Sequence, residues 1–176
     1  MHLTTWKFME TKLENRLLNS HKSDLISYIK SNPTCFNELI QLSIIDKQPY
    51  SWRAAWLIWS CMDKNDLRLR RYVKRIIDTI PERKENQQRE LLMILQRMEI
   101  KEAYEGKLFD TCTKIWVKID KNPSLRWNAF KILVAISKKY PGLSKEIDSL
   151  AESGYIDSLT AGVKKSILKL KNSLRK

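Results

Sequence analysis

Three apolar stretches that each open with an arginine recur at a nearly constant interval along the chain. They read SWRAAWLIWSCM at 51–62, QQRELLMILQRM at 87–98 and LRWNAFKILVAI at 125–136. Their arginines, Arg53, Arg89 and Arg126, are separated by 36 and then 37 residues. This interval matches one helical hairpin with its turns, and such a period is typical of an α-solenoid, in which each repeat packs on its neighbours.

Helical periodicity extends along almost the whole chain, and no segment shows convincing strand alternation. Asn32-Pro33, Asn122-Pro123 and Pro141-Gly142 are among the turn signals between segments. Asparagine before proline favours a helix start, because the amide caps free N–H groups and proline suits the first helical position. The predicted helices are 4–19, 22–31, 33–45, 50–63, 66–80, 85–98, 102–119, 123–140, 143–153 and 158–174. Short connections make neighbouring helices antiparallel, so we predict an all-α, right-handed superhelix of about four to five hairpins.

The arginine-led stretches resemble the second helix of HEAT-like (armadillo-type) repeats, in which an arginine near the start precedes small and aliphatic positions. Ala55 and Ala129 match the small positions that let paired helices approach closely. The resemblance covers most of residues 33–174 and implies a single repeat domain over 1–176. Within it, 1–32 is predicted to form N-terminal capping helices, and the hairpins are 33–63, 66–98, 102–140 and 143–174.

A large excess of positive charge indicates an anionic partner. The chain has 33 Lys and Arg against 20 Asp and Glu, a formal net charge of +13. Such an excess goes beyond what solubility requires and suggests a protein or a nucleic acid bound through a basic surface. No apolar run approaches the roughly 20 residues that span a bilayer, and no signal peptide is visible, so we expect a cytoplasmic protein without a membrane segment.

Sites of conventional enzyme chemistry are not evident in the sequence. His2 and His21 lie near the N-terminus without a plausible nucleophile partner, and the four glycines form no nucleotide-binding fingerprint. Cys35, Cys61 and Cys112 form no Cys-x-x-Cys pair and are interpreted as buried free thiols. We therefore expect no metal and no cofactor, and we favour a chain that is not an enzyme.

A five-residue phrase recurs three times, as IDKQP at 45–49, MDKND at 62–66 and IDKNP at 119–123. Its aspartates, Asp46, Asp63 and Asp120, are spaced by 17 and 57 residues, which does not match the hairpin period. We therefore interpret the phrase as a turn between helices rather than a repeated acidic site.

One aromatic stripe offers a catalytic alternative. Trp52, Trp56, Trp59 and Asp63 are spaced i, i+4, i+7 and i+11 on the predicted helix 50–63 and share one side of it. The stripe resembles the alkylpurine DNA glycosylases built from HEAT-like repeats, which pair a tryptophan with an aspartate on a basic concave surface. The resemblance implies that Trp59 contacts a base and that Asp63 is the catalytic carboxylate. Alternatively, the tryptophans fill the core and Asp63 belongs to a turn, since the helix is apolar nearly all round.

Arginines are the other candidate binding residues. On the predicted helix 66–80, Arg68, Arg71 and Arg75 share the stripe opposite the apolar face. Few carboxylates lie nearby in the sequence, so this basic stripe is a candidate for contacts with an anionic partner, the alternative being an ordinary solvated surface.

The repeated arginines Arg53, Arg89 and Arg126 form a second candidate set. If the second helix of each hairpin lines the concave surface, they make a row of guanidinium groups suited to phosphates or carboxylates. The alternative is internal, with each arginine bound to the turn aspartates of the preceding repeat.

Three functions stay open from the sequence: a non-enzymatic binding scaffold, a nucleic-acid-binding solenoid and a DNA base glycosylase. Apart from Tyr72, no aromatic residue is interleaved with the arginines of 66–80, whereas base stacking would require several, and this favours the scaffold. The sequence does not specify an oligomeric state.

Overall fold

The computed structural model describes residues 10–174 as a chain of helices and turns. The α-helices are α1 Lys12–Asn19, α2 Lys22–Ser31, α3 Cys35–Ile44, α4 Tyr50–Cys61, α5 Val73–Thr79, α6 Glu85–Leu95, α7 Glu102–Trp116, α8 Pro123–Ser137, α9 Ser144–Leu150, α10 Ser153–Ile156 and α11 Ala161–Asn172. Short 3₁₀ turns occupy Arg70–Tyr72, Ile80–Glu82 and Pro141–Leu143. No strand occurs within residues 10–174, and the predicted all-α fold is confirmed.

The helices form two layers that alternate along the chain. In the first layer, α5 packs between α3 and α7; in the second, α6 packs between α4 and α8. Helices α3 and α4 pair as a hairpin, as do α7 and α8. Helices α1 and α2 pack on α4 at one end, whereas α9 and α11 pack on α8 at the other. Because each layer is built from neighbours in the repeat order, the arrangement is that of an α-solenoid.

The spacing of apolar residues explains why the second layer is so deeply buried. In α8, Leu125, Ala129, Leu133 and Ile136 follow the i, i+4, i+8 and i+11 positions of one helical face, and all are buried. The helix begins as its sequence predicts: the Asn122 side chain accepts a 2.9 Å hydrogen bond from the Ser124 backbone N–H, with proline at the first helical position.

Two of the three copies of the recurring phrase connect repeats through their lysine. Lys47 Nζ binds the buried carboxylate of Glu14, 33 residues earlier in the chain. Lys121 Nζ binds Glu85 Oε1 at 2.9 Å, 36 residues earlier. In the same two copies of the phrase the aspartates are exposed. The phrase does lie in turns, and in these two copies its lysine ties the repeat to the preceding one.

The predicted helix 66–80 begins later than expected. Asn65 has a φ of 54°, in the left-handed region that asparagine tolerates better than most residues, and its backbone N–H donates to Arg97 O at 2.7 Å. The Asp66 carboxylate then accepts the backbone N–H groups of Asp63 and Arg68, at 3.2 and 3.0 Å. These bonds stabilise a turn instead of a helix, so α-helix starts only at Val73.

The ends of the chain also differ from the prediction. The segment predicted as helix 143–153 forms two shorter helices, α9 and α10, and the last helix covers 161–172 rather than 158–174. The predicted start of the first helix at residue 4, and the predicted capping role of residues 1–9, lie outside the described residues. Among the helices of residues 10–174, none has the length and apolar character that a membrane span needs.

Glu105 on α7 has a buried carboxylate that pairs with an exposed lysine, and this pair predicts acid sensitivity. Its side chain is only 4% exposed, pairs with Lys139 and accepts a 2.7 Å hydrogen bond from Tyr140 Oη. Burial raises the pKa of Glu105, but the hydrogen bonds from Lys139 and Tyr140 outweigh it, so the pKa lies below its ordinary value. The stabilisation is therefore complete above the unfolded-state pKa and is lost as pH falls through the folded-state value.

We expect Glu105→Gln to lower the free energy of unfolding by about 1–3 kcal/mol at neutral pH. We also expect its stability to fall less steeply than that of the wild type below about pH 4.5, because the variant lacks the titrating group. Urea denaturation at several pH values measures both effects. Glu152→Gln, an identical change at an exposed position, is the control, and an equal loss there would contradict the prediction.

Candidate anion-binding surface

Two arginines on the exposed side of α5 and the turn before it are held in place by uncharged partners. Arg71 Nη2 donates to Asn37 Oδ1 at 3.2 Å. Arg75 Nη1 donates to Gln41 Oε1 at 3.0 Å. Both acceptors lie on α3, 34 residues before their arginines. The neighbouring repeat therefore orients these guanidinium groups without neutralising their charge.

Other cations extend this surface, and some are neutralised. Arg68 forms a 2.6 Å ion pair with Asp66, whose pKa the hydrogen bond from Arg68 lowers. Lys74 and Lys107 share the Asp78 carboxylate, with Nζ–O distances of 2.7 and 2.6 Å. The hydrogen bonds from Lys107 and Lys74 lower the pKa of Asp78 in turn.

We call these cations and the neighbouring Lys101 the outer basic face. Its members are Arg68, Arg70, Arg71, Lys74, Arg75, Lys101 and Lys107. They are contiguous, since Arg71 lines the clefts on both sides of the turn before α5 and Lys74 lines the clefts towards α7. The carboxylates that bond to them or line the same clefts are Asp66, Asp78 and Glu99. Seven cations against three carboxylates leave a local excess of four positive charges.

Sequence reasoning found only part of this face. The stripe Arg68, Arg71 and Arg75 identified its α5 side, and all three residues are exposed. Lys101 was missed because it is the N-cap residue of α7 and belongs to the following repeat. The repeat offset does not point to it either: hydrogen bonds between neighbouring repeats in this region span 34 residues, whereas Lys101 follows Arg70 by 31 residues and Lys74 by 27.

Arg126 is not available to a ligand, contrary to its predicted place in an exposed row of arginines. Its relative exposure is 0%. Nε donates to Trp116 O at 2.9 Å, Nη1 donates to Ser158 Oγ at 3.1 Å, and Nη2 donates to Tyr155 O. Burial lowers the pKa of Arg126. The residue is part of the internal hydrogen-bond network between α7, α8 and the C-terminal helices.

Arg53 and Arg89 are half-buried and also make internal contacts. Arg53 Nη1 donates to Leu17 O at 3.1 Å, in the last turn of α1. Arg89 Nη2 pairs with Glu90 at 2.6 Å. Neither arginine bonds to the turn aspartates proposed as its partners. The predicted row is thus three separate internal contacts, and these arginines do not belong to the outer basic face.

Backbone carbonyls near helix ends are the common acceptors for arginine in this fold. Arg83 Nε donates to Ile44 O at 3.0 Å, at the end of α3, and Arg97 Nη1 donates to Trp59 O at 3.1 Å, in the last turn of α4. The last carbonyls of a helix have no partner within it, so a long side chain from the next repeat satisfies them. Neither arginine was identified from the sequence.

The tryptophan stripe of α4 is neither fully buried nor fully exposed. Trp52, Trp56 and Trp59 are all half-buried, and Lys22 Nζ lies 5.3 Å from the centroid of the Trp56 ring. Asp63 is exposed in the turn that follows α4, where its backbone N–H bonds to Asp66. The assignment of Trp59 to a base contact and Asp63 to catalysis stays a prediction.

The cysteines are free thiols in different environments. Cys112 is fully buried, and burial raises the pKa of its thiol. Cys35 and Cys61 are only half-buried, so the expectation that all three are buried was wrong for two of them. Within residues 10–174, no group of three or more His, Cys, Asp or Glu side chains could hold a metal ion.

Comparison with known proteins gives one result. A family model described as HEAT repeat domain matches residues 9–174. No curated protein and no solved structure matches the chain.

Proposed function

Because the chain belongs to the HEAT repeat domain family, we propose that it is a non-enzymatic binding scaffold whose outer basic face engages an acidic segment of a partner protein. Helical repeats of this kind serve as scaffolds for protein binding, and stacked hairpins provide extended surfaces for it. The observation that carries the proposal is the pairing of Arg71 and Arg75 with neutral amides rather than with carboxylates.

The uncharged partners matter for binding energetics. An arginine already paired with a carboxylate would have to lose that partner before it bound another anion. Arg71 and Arg75 keep their positive charge. Because hydrogen bonds to α3 already order their side chains in the free protein, less conformational entropy is lost when a partner binds. Guanidinium groups also bind carboxylates in a bidentate geometry that lysine cannot reproduce.

A nucleic acid is the second candidate partner, supported by aromatic residues in the other layer. Trp52, Trp56 and Trp59 on α4 are half-buried, as is Trp127 on α8, and Lys131 Nζ lies 5.6 Å from the centroid of the Trp127 ring. Partly exposed aromatic rings beside cations suit stacked bases of a single strand. The outer basic face supports this partner less well, because it offers fewer aromatic rings: Tyr72 is buried there, and Tyr104 alone is half-buried.

We expect the double variant Arg71→Glu/Arg75→Glu to bind a labelled polyglutamate peptide about 10- to 100-fold more weakly than the wild type at low salt. Fluorescence anisotropy measures the affinity, and circular dichroism checks that the variant is folded. The matched control is Lys165→Glu/Lys169→Glu on α11, which reverses two exposed charges outside the outer basic face.

The outcomes separate the candidates. Equal weakening in the control, or no polyglutamate binding by the wild type at low salt, would contradict the proposed function. Tighter binding to single-stranded oligothymidylate than to polyglutamate, with quenched tryptophan fluorescence, would instead favour a nucleic acid bound at the second layer.

A further inference from the structure

We infer that the depression between the turn before α5 and the start of α7 is a subsite for a phosphate monoester, carried on a phosphorylated side chain of the bound partner segment. The inference deepens the proposed function and rests on it for the identity of the partner as a protein. It assigns one part of the outer basic face to a specific chemical group.

The depression has a volume of about 310 Å³ and is formed by two successive repeats. Arg70, Arg71 and Lys74 line it from α5 and the preceding turn, and Lys101 and Tyr104 line it from the first turn of α7. Four of the residues that line this concave space have cationic side chains. An anion bound there would contact both repeats at once.

The cations differ in how far they are already committed. Arg70 and Lys101 form no ion pair with any residue between 10 and 174. Arg71 uses one N–H group for Asn37, which leaves its other donors free. Lys74 is bound to Asp78 at 2.7 Å. The depression therefore offers two uncommitted cations and one partly committed guanidinium.

Glu99, the carboxylate among the lining residues, is held by the neighbouring turn. Its Oε2 accepts a hydrogen bond from Asn65 Nδ2 at 3.0 Å, and its backbone N–H donates to Asn65 Oδ1 at 3.3 Å. Because the lining residues include four cations and one carboxylate, the depression has a net positive charge.

A phosphate monoester fits these features better than other anions do. It has nearly two negative charges at neutral pH and three oxygens that accept hydrogen bonds, so it can use several cations where a carboxylate has one charge. The diester of a nucleic-acid backbone has one charge and fewer free oxygens. The volume is at the lower end of about 300–1,000 Å³ for ligand pockets, which suits a phosphorylated side chain better than a nucleotide.

The test is an NMR titration of the whole protein, with O-phosphoserine and inorganic phosphate as the probes. We expect amide signals of residues 70–74 and 99–104 to shift, with binding that tightens between pH 5 and pH 7 as the monoester gains its second charge at about pH 6. In the variant Arg70→Gln/Lys101→Gln the dissociation constant for O-phosphoserine should rise about tenfold. Lys165→Gln/Lys169→Gln, the same change at exposed positions of α11, should leave it unchanged.

Three results would overturn the inference: an equal effect of both variants, equal binding of dimethyl phosphate, or shifts that map elsewhere. A phosphoserine peptide that binds more tightly than free O-phosphoserine supports a phosphate carried by a partner protein, and the reverse order overturns that source. A polyglutamate titration distinguishes the two proposals. If polyglutamate binds and O-phosphoserine does not, only this inference fails; if O-phosphoserine binds and polyglutamate does not, the subsite stands and the acidic-partner proposal fails.

Discussion

Replacing Arg126 with alanine is expected to lower the free energy of unfolding by about 3–5 kcal/mol. The guanidinium is fully buried and donates hydrogen bonds to two backbone carbonyls, those of Trp116 and Tyr155. Alanine would leave both carbonyls without this donor, the Trp116 carbonyl in a buried position, and would also leave a cavity beneath the Trp116 ring, whose centroid lies 4.7 Å from the guanidinium carbon.

The expected loss is smaller than the sum of the broken contacts. Taking a guanidinium out of water is costly, and the same burial that lowers the pKa of Arg126 is an unfavourable term that alanine removes. The three hydrogen bonds have already offset that term in the folded protein, so the net effect of their loss is still large.

Urea denaturation followed by circular dichroism measures this loss, with Arg75→Ala as the control. Arg75 is exposed and bonds to a neutral amide, so its replacement should change stability by less than about 1 kcal/mol. Arg126→Lys keeps a positive charge but cannot reach three acceptors, and it should recover less than half of the loss. A loss below about 1 kcal/mol in Arg126→Ala would show that the buried network does not stabilise the fold.

The three repeated arginines show where sequence reasoning reaches its limit. Their spacing correctly predicted the solenoid, because the period reflects local helix length and turn length. Their environments could not be predicted, since each depends on what the adjacent repeat places opposite. Arg53 finds the carbonyl of Leu17, whereas Arg89 pairs with Glu90 within its own helix.

The recurring phrase illustrates the same limit on a smaller scale. Its position in turns follows from residue type and was predictable, as was the helix start at Asn122 and Pro123. It was not predictable which side chain of the phrase connects repeats. That depends on a buried acceptor such as Glu14, which lies 33 residues before Lys47. The aspartates drew attention in the sequence, but in two of the three copies it is the lysine that contacts the preceding repeat.

The outer basic face contains residues that the sequence predicted and residues that it did not. Helical spacing alone placed Arg71 and Arg75 on one exposed side. The contribution of Lys101 required knowledge of how the turn after α6 returns to α5, which a single-helix pattern does not contain. Binding surfaces of solenoids are assembled across repeats, so sequence patterns within one helix identify only part of each surface.

Replacing Gln87 with leucine is expected to lower the free energy of unfolding by about 2–4 kcal/mol. Gln87 on α6 is 0% exposed, and its Nε2 donates to Ser43 O at 2.8 Å and to Ile45 O at 2.9 Å. Its Oε1 accepts a 2.7 Å hydrogen bond from Gln48 Nε2. Leucine has a similar size and fills the space. The loss of stability would therefore come mainly from the carbonyls of Ser43 and Ile45, at the end of α3, which would no longer have this hydrogen-bond donor.

Gln96→Leu is the matched control for this change, because Gln96 is exposed at the end of α6, and we expect it to cost less than about 1 kcal/mol. Hydrogen exchange gives a second, local readout. The amide of Lys47 donates to Ser51 Oγ at 2.9 Å, and that of Ser51 donates to Lys47 O at 3.0 Å. If Gln87 anchors the turn between α3 and α4, both amides should exchange faster in Gln87→Leu than amides in the core of α8. Uniformly faster exchange would instead mean that Gln87 contributes only to global stability, and that the turn is held by the ion pair of Lys47 with Glu14.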